Sequence, residues 1–198
     1  MVLGYLVIWT LAAIGPHDRG DWLLENLLVF GLGLLAAASY RRFPFSNLSY
    51  LLLFSFLSLH AVGAHYTYSL TPPGFWLQEA FDLSRNHYDR IVHFAFGLLL
   101  WYPMYEIGRR PLGLRGFASY AVPLAIVLAM SAGYEIVEWG AARVVDPELG
   151  LAFVGTQGDE WDAQKDMSLA LLGALLATAF AAIYASRRGR PVAMSHSG

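Results

Sequence analysis

MSLALLGALLATAFAAIYA, residues Met167–Ala185, is the stretch that decides the class of fold. It holds 19 residues and not one charge. As a helix it reaches roughly 28 Å, close to the ~30 Å hydrocarbon core of a bilayer. Its alanines are too numerous for a soluble amphipathic helix, and Arg187, Arg188 and Arg190 follow at once. Working outward, four further stretches of comparable character precede it: Trp22–Tyr40, Leu48–Tyr68, Arg90–Ile107 and Phe117–Ala142. Val2–Ile14 is shorter and closes on Gly15-Pro16. No basic residue precedes its apolar run, so it reads as a short span and not as a signal peptide.

The whole chain agrees. Of its 198 residues 57% are hydrophobic and 14% charged, with a mean hydropathy of +0.46. Soluble domains run at about 45–50% apolar and about 25% charged. The expected fold is therefore all-α: a polytopic membrane bundle of about six transmembrane helices in one domain, residues 1–186. Residues 187–198, basic and then polar, read as a disordered tail. A net charge of -2 gives no cationic excess for phosphates, which argues against nucleic acid as a partner. The absence of cysteine excludes disulfides, iron–sulfur clusters and thiolate zinc sites.

Arginine placement sets the expected topology. Arg41 and Arg42, then Arg109, Arg110 and Arg115, then Arg187, Arg188 and Arg190 follow the second, fourth and sixth spans. The positive-inside rule makes these segments and both termini cytoplasmic. Pro16–Asp21, Leu70–Asp89 and Val144–Asp166 then face outward. Of the 15 acids only Glu106 falls on the cytoplasmic side. The aromatics Trp22, Tyr66, Tyr68, Phe75, Trp76, Tyr88, Trp139 and Trp161 gather at the outer rim, as an interfacial belt does. Pro72-Pro73-Gly74 followed by Phe75-Trp76-Leu77, Phe81 and Leu83 predicts a short helix lying on the outer leaflet.

Ionisable residues inside spans cost several kcal/mol on insertion scales of about 2.5–3.5 kcal/mol each, so they point to function by default. Here they share one depth: Glu25, His60, His65, Asp89, His93, Glu135, Glu138, Asp162 and Asp166. Asp89 and His93 are an i,i+4 pair on one helix face. They read either as a carboxylate beside a ligating imidazole or as a helix cap beside an interhelical hydrogen bond. Glu135 and Glu138 are an i,i+3 pair. Two like charges in a low dielectric share a proton, hold a cation or are neutralised, with Arg90 or Arg143 as the candidates for the last. Asp159, Asp162 and Asp166 form an acidic segment that either caps a helix or supplies ligands, without the spacing of an EF-hand. His60 and His65, about 140° apart on a helix, favour separate interhelical hydrogen bonds over ligation. Gly173, Ala177 and Ala181, flanked by Ala170 and Ala174, form a small-residue stripe for close helix packing. No phosphate loop, HExxH, GxSxG or run of gating arginines is present.

Four motifs in order carry a resemblance across most of the chain. They are Asp18–Asn26, Arg85-Asn86-His87-Tyr88-Asp89-Arg90-Ile91-Val92-His93-Phe94, the hexad Tyr134-Glu135-Ile136-Val137-Glu138-Trp139, and Gly158–Met167. Together they resemble the YjdF family of bacterial inner-membrane proteins, a domain of unknown function. The resemblance implies a multi-pass protein of the bacterial cytoplasmic membrane. A more distant similarity joins Asp89-Arg90-Ile91-Val92-His93-Phe94, Glu135 or Glu138, and Asp166 with Gly173 to VanZ-like membrane proteins, but Ala170 stands where that pattern has asparagine.

The leading functional expectation is a metal-dependent enzyme at the outer, periplasmic leaflet, acting on a membrane lipid or lipid-linked substrate. His93, Glu135, Glu138, Asp162 and Asp166 are the candidate ligands for Zn²⁺, Mn²⁺, Fe²⁺ or Mg²⁺. Asp89 and Glu138 are the candidate catalytic carboxylates, and no organic cofactor is indicated. A proton-coupled carrier using Glu135 and Glu138, and an envelope scaffold whose acids pair with Arg90, Arg143 and Lys165, stand as alternatives. Self-association into a homo-oligomer is compatible with each.

Overall fold

A computed structural model describes residues 1–145 and 157–188. Among these the chain forms seven helices and no strand: α1 (Val2–Ala13), α2 (Arg19–Ser39), α3 (Asn47–His65), α4 (Pro72–Phe81), α5 (Tyr88–Arg109), α6 (Ala118–Ala142) and α7 (Asp162–Arg188). The expected all-helical membrane bundle is thus the architecture. The expected C-terminal tail lies outside the described residues beyond Arg188, as does much of the loop after Val144.

Local chemistry sets the helix ends. Asp18 caps α2 by accepting from the Asp21 amide at 2.9 Å, and Ser46 caps α3 by accepting from the Ser49 amide at 3.2 Å. Pro72 and Pro73 occupy the first turn of α4, where their missing N–H groups cost nothing. Asp82, in the left-handed region at φ 51°, ends that helix. The surface helix expected between Leu70 and Leu83 is therefore present, with Phe75, Trp76 and Phe81 exposed.

Helices α2, α3, α6 and α7 are each long and apolar enough to cross a membrane. Helix α5 is as long, at 22 residues, but Asp89, Arg90, Glu106 and Arg109 lower its apolar character. It compensates by position: α3, α6 and α7 pack around it. Helix α1 has 12 residues, about 18 Å of helix, and packs on α3.

The tightest contact joins α5 to α7. A Cβ on Gly97 would lie 1.8 Å from the Ala170 carbonyl oxygen, and one on Gly173 would lie 2.3 Å from that of Phe94. Ala170 and Ala174 are fully buried. Small residues let the two backbones touch, which is the source of dispersion energy where lipid removes the hydrophobic drive. Below the crossing, Trp101, Val127 and Ala174 form a core cluster, with Trp101 stacked on Tyr105 at 5.1 Å. A second cluster of Tyr68, Tyr88 and Val92 joins α3 to α5.

At the opposite end of α5, Glu106 accepts from the Ser46 amide at 2.9 Å, the Ser46 hydroxyl at 2.9 Å and the Ser49 hydroxyl. It also pairs with Arg110. This carboxylate fastens the start of α3 to the end of α5.

The crossing gives a direct test. Gly97→Leu or Gly173→Val should lower detergent-solubilised stability by about 1–3 kcal/mol or more, because the clash is with backbone and not with a yielding side chain. Gly31→Ala on α2, where an added Cβ meets nothing within 4 Å, should be neutral or gain up to about 1 kcal/mol. Thermal unfolding followed by size-exclusion chromatography separates the two outcomes.

Candidate functional site

Parallel packing of α5 and α7 carries their N-terminal turns to the same place. On α5, Asp89, His93 and Gly97 follow at i, i+4 and i+8; on α7, Asp166, Ala170 and Ala174 do the same. The faces that touch at Gly97 and Ala170 therefore continue, one turn back, into His93 and Asp166. Asp89, His93 and Asp166 each present a ligand atom, all within 4.8 Å of one another. Helix α6 runs antiparallel to both and adds Glu135, whose Oε1 lies 3.6 Å from His93 Nε2. Asp89 Oδ1 lies 3.5 Å from the same nitrogen. Glu138 shares a hydrogen bond with Glu135.

Two of these acids have unspent capacity. Glu135 Oε1 and Asp166 Oδ1 are buried without a hydrogen-bond donor. A buried polar atom left unpaired costs about 1–3 kcal/mol. Among the described residues no Lys or Arg bonds these two oxygens, and Arg85 and Arg90, the nearby cations, are hydrogen-bonded to Asp159 and Asp162.

The acids at the head of α7 divide between this cluster and a separate clasp. Arg85 forks onto Asp162, with Nη1–Oδ1 at 2.5 Å and Nη2–Oδ2 at 3.4 Å. Arg90 reaches Asp162 at 3.1 Å and also bonds Asp159. Lys165 donates to Asp159 at 2.6 Å. These bonds, that of Lys165 foremost, hold the Asp159 carboxyl well below the usual carboxylate range. Its share of stability is present at neutral pH and is lost only as acid protonates it. Burial and the neighbouring guanidinium groups lower the pKa of His87, whose Nδ1 lies 3.3 Å from Arg90 Nη1. Asp162, expected among the metal ligands, thus has its oxygens taken by two arginines. Arg90, a candidate neutraliser of Glu135 and Glu138, serves Asp159 and Asp162 instead.

Asn86 fixes the loop that carries Arg85. Its side chain donates to the Thr71 carbonyl at 3.0 Å and accepts from the Tyr88 amide at 3.0 Å, capping α5. Its backbone exchanges two bonds with the Gln157 side chain, at 3.2 and 2.9 Å. Gly74 allows the contact, since a Cβ there would lie 1.7 Å from Asn86 Oδ1.

Two cavities meet at the cluster. One, of about 360 Å³, is acidic and lined by Asp89, Glu135, Glu138, Asp159, Asp162 and Asp166, among others. The other, of about 480 Å³, is apolar along most of its length, with Leu24, Phe96, Leu100 and Met130 in its wall and Asp89, His93, Tyr134 and Glu138 at its polar end. Asp89 and Glu138 line both.

Beside the apolar cavity lies a network that sequence reasoning missed in part. Tyr134 donates to Glu25 Oε2 at 2.7 Å, and His60 Nε2 meets the Glu25 carbonyl at 3.2 Å. Tyr68 bonds His60 Nδ1 at 2.5 Å. His65 finds a different partner, the Ala12 carbonyl, at 2.9 Å. Both histidines make the separate interhelical bonds expected of them. Tyr68 is turned inward by two successive left-handed residues, Thr67 and Tyr68, at φ 52° and 50°. Its ring occupies the space a side chain at Gly63 would need. The strain of such backbone, about 1–3 kcal/mol per residue, is held by that packing. The sequence signal was a glycine five residues ahead of a tyrosine, which means nothing until the turn is seen.

Ala170, where the VanZ-like pattern has asparagine, is sealed against Gly97.

A helical membrane bundle with a buried His and carboxylate cluster is what the fold defines. The chain belongs to the family described as "Predicted membrane protein (DUF2238)", which matches residues 1–187. It is 40% identical over 191 residues, 96% of this chain and 90% of the relative, to "Inner membrane protein YjdF" of Escherichia coli (strain K12). No solved structure matches it.

The clasp can be measured. Arg85→Met and Asp162→Leu should each destabilise, and the double variant should recover part of the loss. The coupling should be about 0.5–3 kcal/mol by a double-mutant cycle on thermal unfolding.

Proposed function

We propose that the protein is a metal-dependent enzyme of the cytoplasmic membrane, acting near the outer leaflet on a lipid or lipid-linked substrate. The observation that carries this reading is the convergence of Asp89, His93 and Asp166 ligand atoms within 4.8 Å, beside an undonated Glu135 oxygen. One imidazole nitrogen with hard carboxylate oxygens suits Zn²⁺, Mn²⁺ or Fe²⁺, and an oxygen-only subset suits Mg²⁺.

In this reading Asp89, His93 and Asp166 hold the ion and Glu135 orients it from α6. A divalent ion there supplies Lewis acidity and a water nucleophile at neutral pH. Glu138 faces the apolar cavity as well as the acidic one, and acts as general base toward a substrate lying across the boundary. Asp162 is a positioning residue, tying the head of α7 to Arg85 and Arg90. In this reading α1 and α5 also cross, and the arginine rule sets the cluster toward the periplasm. The name of the Escherichia coli relative supports the membrane location and not the side. The carrier alternative is disfavoured because Glu106, the acid it needs on the cytoplasmic half, is engaged by Ser46, Ser49 and Arg110.

Metal analysis of protein purified without chelator tests the reading. Wild type should carry about one ion per chain, and His93→Ala and Asp166→Asn should lose it at least ~10-fold. Asp162→Asn should lose stability and keep the ion. Near-zero metal in all four proteins ends the proposal.

A further inference from the structure

We infer that the apolar cavity seats a single hydrocarbon chain of a membrane amphiphile, which enters sideways from the bilayer between α2 and α6 and brings its head group to Asp89 and Glu138. This deepens the enzyme reading and rests on it for the chemistry, though the binding itself needs no metal.

The gap between α2 and α6 supplies the portal. Helix α2 packs along α3, and its hydrogen-bonded tie to α6 is the Tyr134–Glu25 bond at the polar end. Inward of that tie the cavity is walled by Leu27 and Leu32 from α2 and by Met130 and Gly133 from α6, and Leu24 and Val137 line it on the other side of the tie. Leu27 and Val137 are 63% and 61% exposed, although both line it. The cavity therefore opens on a flank that faces lipid and not water. Its volume of about 480 Å³ lies within the range of about 300–1,000 Å³ that encloses one small ligand, the bulk of one chain and not of two with a head group. Along α5 its lining passes from Asp89 and His93 to Phe96 and Leu100, and along α6 from Glu138 and Tyr134 through Ser131 to Met130. With His60 and Tyr68 also in the wall, most of its polar groups lie toward one end. An amphiphile has that same asymmetry. Because Asp89 and Glu138 also face the acidic cavity, a chain seated here leaves its head-group bond at the boundary and the head group in the polar chamber.

The chamber's charge narrows the head group. Asp89, Glu135, Glu138, Asp159, Glu160, Asp162 and Asp166 line it, and among the described contacts Arg85, Arg90 and Lys165 bond Asp159 or Asp162 and none of the other five. A neutral or cationic head is accepted directly, whereas an anionic one is repelled unless a cation intervenes.

Full-length protein in phosphatidylcholine nanodiscs provides the test, with a hexadecanol carrying a mid-chain diazirine as the single-chain probe and a phosphatidylcholine with the same diazirine on one acyl chain as comparison. Irradiation should label peptides containing Leu24 and Met130 with the single-chain probe at least ~10-fold more than with the two-chain probe. Gly133→Phe, placed where an added Cβ meets nothing within 4 Å, should fill the mouth and abolish that labelling without changing the melting temperature or the metal content. Ala141→Leu, also in the wall, serves if Gly133→Phe does not fold. Labelling spread evenly over the outer faces, equal labelling by both probes, or labelling unaffected by either filling variant overturns the inference. So does a disulfide-linked dimer formed by Val137→Cys in this cysteine-free chain, which assigns the gap to a second copy. Cavity labelling with no metal in any sample leaves this inference standing and removes the enzyme reading. Metal without cavity labelling does the reverse.

Discussion

Backbone contact between α5 and α7 is the constraint on which the site depends. At Gly97 and Gly173 there is no room for even one carbon, so the helices are fixed in both distance and register. Because the two run parallel, the residues one and two turns before the crossing are brought together without further instruction. His93 and Asp89 meet Asp166 for the same geometric reason that Trp101 meets Ala174 on the other side. Packing and chemistry here are two ends of one helix pair.

The polar groups gathered by that crossing are handled in two ways. Asp159 and Asp162 are satisfied by three cations and hold the head of α7 in place. Asp89, Glu135, Glu138 and Asp166, with His93, have no such counterions in the described contacts and border two cavities of opposite character. A protein stabilised only by buried polar bonds would have spent the second group as it spent the first. Instead they stay concentrated at the wall between an apolar and an acidic space, and the proposed function rests on that arrangement.

Much of this was legible in the sequence. The uncharged run at Met167–Ala185 gave the fold class, the alanine and glycine stripe within it gave the packing face, and Pro72-Pro73-Gly74 gave the surface helix. The i,i+4 spacing of Asp89 and His93 showed that they share a face. What could not be read was partnership between distant segments. Nothing local in Arg85 says that it binds Asp162 rather than a glutamate on α6, because that choice is made by the loop that Asn86 ties to Thr71 and Gln157. The cavity between α2 and α6 was likewise invisible, since it arises from where two helices fail to pack, and failure to pack leaves no periodic signal.

The enclosure of α5 also bears on how the protein is made. With Asp89, Arg90, Glu106 and Arg109 in 22 residues, this helix gains little by partitioning alone into hydrocarbon, where each charge carries a cost of about 2.5–3.5 kcal/mol. It becomes favourable only when neighbours cover those groups, and its most intimate neighbour, α7, is synthesised after the other six described helices. Biogenesis of the described bundle is therefore weighted toward α7: a ribosome that stops before Asp162 leaves a chain with the six earlier described helices and α5 without its tightest neighbour.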